Sequence, residues 1–215
     1  MKLFASIVTT GKFRANRDQA CLDTWLPKFD GYLFCTDTKS DDHCFVVTDR
    51  TDYGSCKGKQ LAGFRICEEQ FGDCDWYFAC GPDTCVNVDN LRYLCNNLTH
   101  WAATGLIAIY GEACKCWDKD KNFFYLSGGG GHLMNRATLS KFNIAAKGAD
   151  DNHDTCSTAD VAFGQIAQRG GIPQIHFSLF HSQGIGFYQD DPKKAISYHY
   201  IAPEKMKETY EAMTL

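Results

Sequence analysis

The chain has 215 residues, of which 44% are hydrophobic and 22% charged, and its formal net charge is −4. That length suits one domain spanning residues 1–215, and the globular composition argues against disorder. With 22 basic residues against 26 acidic ones and no basic run, nothing points to a nucleic-acid partner, whose affinity rests on clustered Lys and Arg.

The first ten residues, MKLFASIVTT, hold an apolar run shorter than a signal-peptide core and read as a buried strand. No stretch approaches the ~18 apolar residues that span a membrane. The expectation is a cytoplasmic protein with no transmembrane segment in this chain. A lumenal domain of a secretory-pathway enzyme is the alternative.

Strand-like runs alternate with helical stretches, which predicts an α/β fold. Leu3 to Val8 is a strand, Arg14 to Trp25 a helix and Gly31 to Thr36 a second strand ending in Thr36-Asp37-Thr38. A third strand is predicted over Phe45 to Thr48, a helix over Gln60 to Phe71 and a strand over Asp75 to Cys80, broken by Gly81-Pro82. Val88 to Leu98 is helical, and Leu106 to Gly111 and Phe123 to Ser127 are strands. A glycine turn, Gly128 to Gly131, precedes helices at Arg136 to Phe142 and Ala159 to Arg169. His176 to Phe180 and Ile196 to Ile201 are extended, and Pro203 to Met213 is a closing helix. Ligands gather beyond the carboxyl ends of strands in such sheets. Thr9-Thr10-Gly11, Thr36-Asp37 and Gly81-Pro82-Asp83 stand at those ends.

The twelve cysteines fit either disulfides or buried thiols, and the missing signal segment favours thiols. Cys114-Lys115-Cys116 is the tightest pair, without a second pair at zinc-site spacing. Asn97-Leu98-Thr99 matches a glycosylation sequon.

Asp83 follows an apolar strand, where a carboxylate can share Mg²⁺ or Mn²⁺ with substrate phosphates; a plain Gly-Pro-Asp turn is the alternative. The segment DWYFACGPDTCVNVDNL, Asp75 to Leu91, resembles the metal-binding region of the fringe-like β1,3-glycosyltransferases. In that family an aromatic strand leads into three aspartates, Thr, an aromatic residue, Val and an Asn-Leu pair. Gly81 and Pro82 replace the first two aspartates here, and Asp83 keeps the last.

Other segments follow the family's order. Thr9-Thr10, Arg17 and Thr24-Trp25 resemble its first strand and helix, with Trp25 read as a core anchor. Phe34-Cys35-Thr36-Asp37 resembles the strand end that reaches uridine. Tyr125 to Gly131 resembles the turn that floors the sugar pocket, with Gly128, Gly129 and Gly130 as its candidates. Ala159 to Gly164 resembles the helix start whose aspartate is the catalytic base, here Asp160; a carboxylate favoured by the helix dipole is the alternative. Phe180-His181-Ser182 resembles the segment whose imidazole completes the metal site, with His199 as runner-up.

The resemblance implies a GT-A-like fold with a mixed central sheet flanked by helices. It implies inverting transfer from a UDP-sugar to a hydroxyl of a glycan or glycoprotein. Asp83 and His181 would hold Mn²⁺ or Mg²⁺ and Asp160 would be the base. Thr9, Thr10, Arg17, Asp37, Lys59, Gly81 and Pro82 would meet the donor. Two rivals stand beside it. A glycosidase could pair Asp160 with Asp150, Asp151 or Asp154. A non-catalytic relative could act as a chaperone or sugar-binding module.

Overall fold

A computed structural model describes residues 1–102, 107–115, 124–149 and 158–215. Strand β1 (Leu3–Val8) leads into tight turns at Gly11–Phe13 and Arg14–Asp18 and then a one-turn helix, α1 (Gln19–Leu22). The single helix expected over Arg14 to Trp25 is therefore broken. Its Arg14–Asp18 turn is π-helical, a local widening often found beside functional sites. It turns Asp18 inward, where the buried carboxylate accepts a 2.7 Å hydrogen bond from the Thr9 hydroxyl.

Next come β2 (Gly31–Thr36), β3 (Cys44–Val46), α2 (Cys56–Gln70) and β4 (Trp76–Cys80). They are followed by β5 (Cys85–Val86), α3 (Val88–Ala102), β6 (Ile109–Gly111), β7 (Ala113–Lys115) and β8 (Phe124–Leu126). The chain continues through β9 (His132–Asn135), α4 (Arg136–Ala145), α5 (Ala159–Arg169) and β10 (Gln174–His176). It ends with β11 (Phe180–His181), β12 (Ser197–Tyr198) and α6 (Met206–Thr214). The extended run expected over His176 to Phe180 is two short strands with a turn between them, and Ile196 to Ile201 contributes only β12. Leu106, Phe123, Cys116, Asp150, Asp151 and Asp154 lie outside the described residues.

Seven strands form the central sheet in the order β10-β6-β9-β4-β1-β2-β3. β1 pairs in parallel with both β2 and β4. β9 runs antiparallel to β4 and β6, which makes the sheet mixed. From β1 the chain winds to β2 and β3 on one side and then crosses to β4 on the other. Such a reversal opens a crevice beyond the carboxyl ends of the strands involved.

Alternation along the central strands divides the core between the sheet's faces. Leu3, Ala5 and Ile7 of β1 and Trp76, Phe78 and Cys80 of β4 pack with Trp25, Leu91 and Met206. Phe4 of β1 and Tyr77 and Ala79 of β4 pack with Phe64, Phe142 and Phe163. Trp25 is fully buried, the core anchor expected of it. Among the described residues ten cysteines are unpaired thiols. Burial pushes the Cys85 and Cys95 thiols up to about 12, so they behave as small apolar side chains. No helix among the described residues is long and apolar enough to cross a membrane.

Candidate active site

A cleft of about 350 Å³ lies at the β1–β4 reversal. Thr9 and Thr10 leave β1, Gly81, Pro82 and Asp83 leave β4, and Lys59 comes from α2; all line it. Arg17, Gly128, Gly129, Asp160 and His199 complete its chemically distinctive wall. Eleven residues singled out in the sequence, the runner-up His199 among them, thus meet in one cavity.

Lys59 is buried in the cleft wall, its side chain 2% exposed. Its ammonium donates to the Thr9 carbonyl at 2.8 Å and to Asp37 Oδ2 at 2.7 Å. Asp37 Oδ1 also accepts from the Gly11 amide at 3.0 Å. Burial alone would raise the Asp37 carboxyl, but the Lys59 ammonium and the Gly11 amide hold it well below the usual carboxylate range. Asp37 does not line the cleft. Against the expectation of a direct donor contact, its carboxylate is committed to fixing Lys59 and the loop after β1.

Asp83 sits between the Arg17 guanidinium and the His199 imidazole. Its Oδ2 accepts from Arg17 Nη1 at 3.1 Å, and its Oδ1 lies 3.4 Å from His199 Nε2. Burial would raise this carboxyl; His199 and then Arg17 outweigh it and hold the carboxyl below its ordinary value. The guanidinium also lies over the Phe13 ring, 4.4 Å from its centroid.

His181 is not part of this constellation. It is 1% exposed, its Nε2 is 2.9 Å from Asp190 Oδ2, and its ring stacks on Tyr188 at 3.8 Å. The pleat explains the separation. His181 and Tyr198 are register partners across β11 and β12 and face the same side. His199, one residue further, faces the other. Against the expectation that His181 would stand with Asp83, the imidazole beside Asp83 is that of His199, and His181 meets Asp190 instead.

The glycine turn makes room for two of these groups. A Cβ on Gly128 would stand 2.6 Å from Asp160 Oδ1, and one on Gly129 only 2.1 Å from His199 Nδ1. Only glycine permits both approaches. Thr84 donates to the Gly129 carbonyl at 3.0 Å and Ser197 to the Gly130 carbonyl at 2.5 Å, fixing the turn. Gly130, expected in the sugar pocket, lies behind the cleft wall against the His181 backbone. Asp160 is in the first turn of α5, and the capping residue Thr158 makes no side-chain hydrogen bond there.

Phe13, Tyr53, Cys56, Gln60 and Tyr200 also line the cleft and were not singled out. His132 lies just behind, buried between Gln60 Nε2 at 3.3 Å and the Leu126 carbonyl at 3.1 Å. Burial pushes its imidazole down despite the nearby Asp160 charge. Tyr200's place beside the runner-up histidine was the available signal for that residue; Tyr53 and Cys56 carried none.

Two donors in adjacent positions around an octahedral ion with bonds near 2.1 Å are about 3.0 Å apart. The 3.4 Å separation of Asp83 Oδ1 and His199 Nε2 fits that requirement. Gly81 and Pro82 supply no side-chain donor. No group of three His, Cys, Asp or Glu side chains gathers for a metal among the described residues, so phosphate and water would fill the remaining positions.

The overall architecture is that of GT-A-like glycosyltransferases. A glycosyltransferase involved in glycosylation of the major capsid of PBCV-1 aligns over 99% of this chain and 100% of its own, with TM-score 0.57 and 13% identity. The galactosyltransferase LgtC, in complex with donor and acceptor sugar analogs, aligns over 99% of this chain and 96% of its own, with TM-score 0.55 and 12% identity. The chain belongs to the Fringe-like family, whose model matches residues 1–209. It is 27% identical over 180 residues to glycoprotein-N-acetylgalactosamine 3-beta-galactosyltransferase 1 of Xenopus laevis, a match covering 69% of this chain. The chain spans about half of that relative's length, 48%.

Proposed function

We propose that this chain transfers a sugar from a UDP-sugar donor to a hydroxyl of a glycan or glycoprotein acceptor, with inversion and with Mn²⁺ or Mg²⁺ as cofactor. One observation carries the reading. A single cleft holds Asp83 beside His199 and a separate carboxylate, Asp160, seated against Gly128. Family membership supports it.

Asp83 and His199 would hold the ion, which when bound neutralises charge developing on the departing diphosphate. Arg17 sits beside them and supplies a fixed positive charge to the same oxygens. Lys59 braces the Thr9 carbonyl, which shapes the donor end of the cleft. Asp160 accepts the proton of the attacking hydroxyl and positions it by a hydrogen bond, help typically worth roughly 10² to 10⁴ in rate.

A second reading has its own support. Gly81 and Pro82 stand where the family has carboxylates, and Arg17 already satisfies one oxygen of Asp83. That arrangement suits a relative that binds nucleotide or sugar without transfer. The deciding measurement is a thermal-shift panel of UDP and UDP-sugars with and without Mn²⁺, followed by an assay for UDP release. A ligand that binds only the folded state raises stability by about 2.7 kcal/mol at 100 times its dissociation constant. Metal-dependent stabilisation with UDP release supports the transferase. Stabilisation without release from any UDP-sugar favours the non-catalytic reading, and no stabilisation at millimolar UDP overturns the transferase.

A further inference from the structure

Two tyrosines on the rim of the cleft are exposed in a way that folding does not demand. Tyr53 is 77% exposed and Tyr200 is 64% exposed, yet both line the cleft that holds Asp83 and Asp160. Tyr53 stands in the short turn before α2, and Tyr200 directly follows His199. Burial first, and then the charges of Asp160, Tyr200 and Asp83 among others, push the Tyr53 phenol up, so the hydroxyl lies within their field.

Tyr200 carries a second, independent sign. Its φ is +56°, and no other non-glycine described residue has a positive φ. The backbone on either side accounts for the turn. The His199 amide donates to the His181 carbonyl at 3.1 Å, and the Ile201 amide donates to the Asp83 carbonyl at 2.9 Å. Reversing between these anchors directs His199 to the cleft and Ile201 to the core. Glycine or asparagine would make that reversal at less cost. A large aromatic residue kept in a left-handed conformation, with its ring largely in solvent, is a mark of a functional surface. Its ring packs against that of His199, tilted by 31° with the centroids 3.8 Å apart.

We infer that Tyr53 and Tyr200 form the acceptor platform, stacking on the apolar C–H face of a pyranose and holding its hydroxyl toward Asp160. This inference rests on the transferase reading. Aromatic rings with a polar tip suit a sugar, which presents an apolar face edged by hydroxyls. Both phenols line the same cleft as Asp160, the group that must meet the acceptor, and Tyr53 lies within that carboxylate's field.

The test is saturation-transfer NMR with the methyl glycosides of glucose, galactose, N-acetylglucosamine and N-acetylgalactosamine, in the presence of UDP and Mn²⁺. UDP affinity is measured in parallel by calorimetry. Tyr53→Ala and Tyr200→Gly should each weaken glycoside binding by roughly tenfold, the scale of a lost aromatic contact, with UDP affinity within about twofold of native. Tyr200→Phe should retain binding. Tyr200→Gly relieves the left-handed strain, so it should melt no lower than native, which separates lost binding from lost folding. Glycoside binding unchanged in Tyr53→Ala and Tyr200→Gly overturns the platform. So does a fall in UDP affinity, which would assign the rings to the donor. Native protein that binds UDP but no glycoside also overturns it, whereas failure to bind UDP at all removes the transferase reading itself.

Discussion

His181 ends β11 and His199 directly follows its partner β12, each preceded by an aromatic residue, yet they do different physical work. His181 is enclosed by Tyr188, Tyr198 and Asp190, and its Nδ1 is buried without a partner among the described residues. His199 opens onto the cleft beside Asp83, its Nδ1 set 3.2 Å from the Ser182 carbonyl. A carbonyl only accepts, so that contact places a proton on Nδ1 and leaves Nε2 as the nitrogen that faces Asp83. The difference teaches that an aromatic-flanked histidine is assigned by the face of the pleat it occupies and by which nitrogen is free. Motif flanks alone do not separate the two.

The sharpest way to break this comparison is to remove each member. Asp83→Ala should abolish Mn²⁺-dependent UDP binding, and His199→Ala should weaken it by at least about tenfold, one lost ligand's contribution. His181→Ala should leave UDP affinity near native but lower stability by roughly 2–4 kcal/mol, because a packed ring leaves a cavity. Calorimetry with UDP and chemical denaturation read the two effects separately. Loss of UDP binding in His181→Ala with none in His199→Ala would restore the sequence-based choice.

Asp160→Asn comes next. It keeps size and hydrogen bonding but cannot take a proton. Transfer should fall by roughly 10² or more, with UDP and Mn²⁺ affinity nearly unchanged. Transfer at a near-native rate would move the base elsewhere, with Asp150, Asp151 and Asp154 the next to test.

Much of this was legible in the sequence, for reasons that differ by element. β1 and β4 are apolar on both faces, as buried parallel strands must be. The reversal between them then gathers Thr9, Gly81 and Asp83. β9 escaped notice because His132-Leu133-Met134-Asn135 is short and has no β-branched residue to mark it. The Arg14 to Trp25 helix pattern was real, but Asp18 bonding to Thr9 overrides it. Asp37 looked like a donor contact because nothing in a sequence reports that Lys59 already claims its carboxylate.

Gly129→Ala sharpens the comparison without touching a polar group. Its Cβ would overlap the His199 ring, so the imidazole must shift away from Asp83. Mn²⁺-dependent UDP binding should weaken by roughly tenfold, with Asp160 undisturbed. Gly128→Ala provides the contrast. It crowds Asp160 instead, and should lower transfer more than UDP binding. Equal losses in both variants and both assays would show that the turn acts only as a structural unit.

The smallest effect concerns a buried carboxylate that, unlike Asp190 and Asp37, is hydrogen-bonded by a neutral hydroxyl. Burial pushes the Asp18 carboxyl up to about 6, against the lowering effects of the Thr9 hydrogen bond and the Arg14 charge. The reference value is 3.8, so between these values the folded protein binds more protons than the unfolded chain. The stability this group contributes is therefore complete below the unfolded value and is lost as pH rises through about 6. A shift of this size corresponds to roughly 3 kcal/mol at neutral pH. Asp18→Asn still accepts from Thr9 but does not titrate. It should stabilise the protein at pH 7 by about 1–2 kcal/mol, less than the full figure because the new amide N–H is itself buried. Urea denaturation at pH 4, 5, 6 and 7 reads both the gain and the loss of slope. An Asn variant that loses stability between pH 4 and pH 6 as steeply as native protein would assign that slope to other groups and leave Asp18 with no role in it.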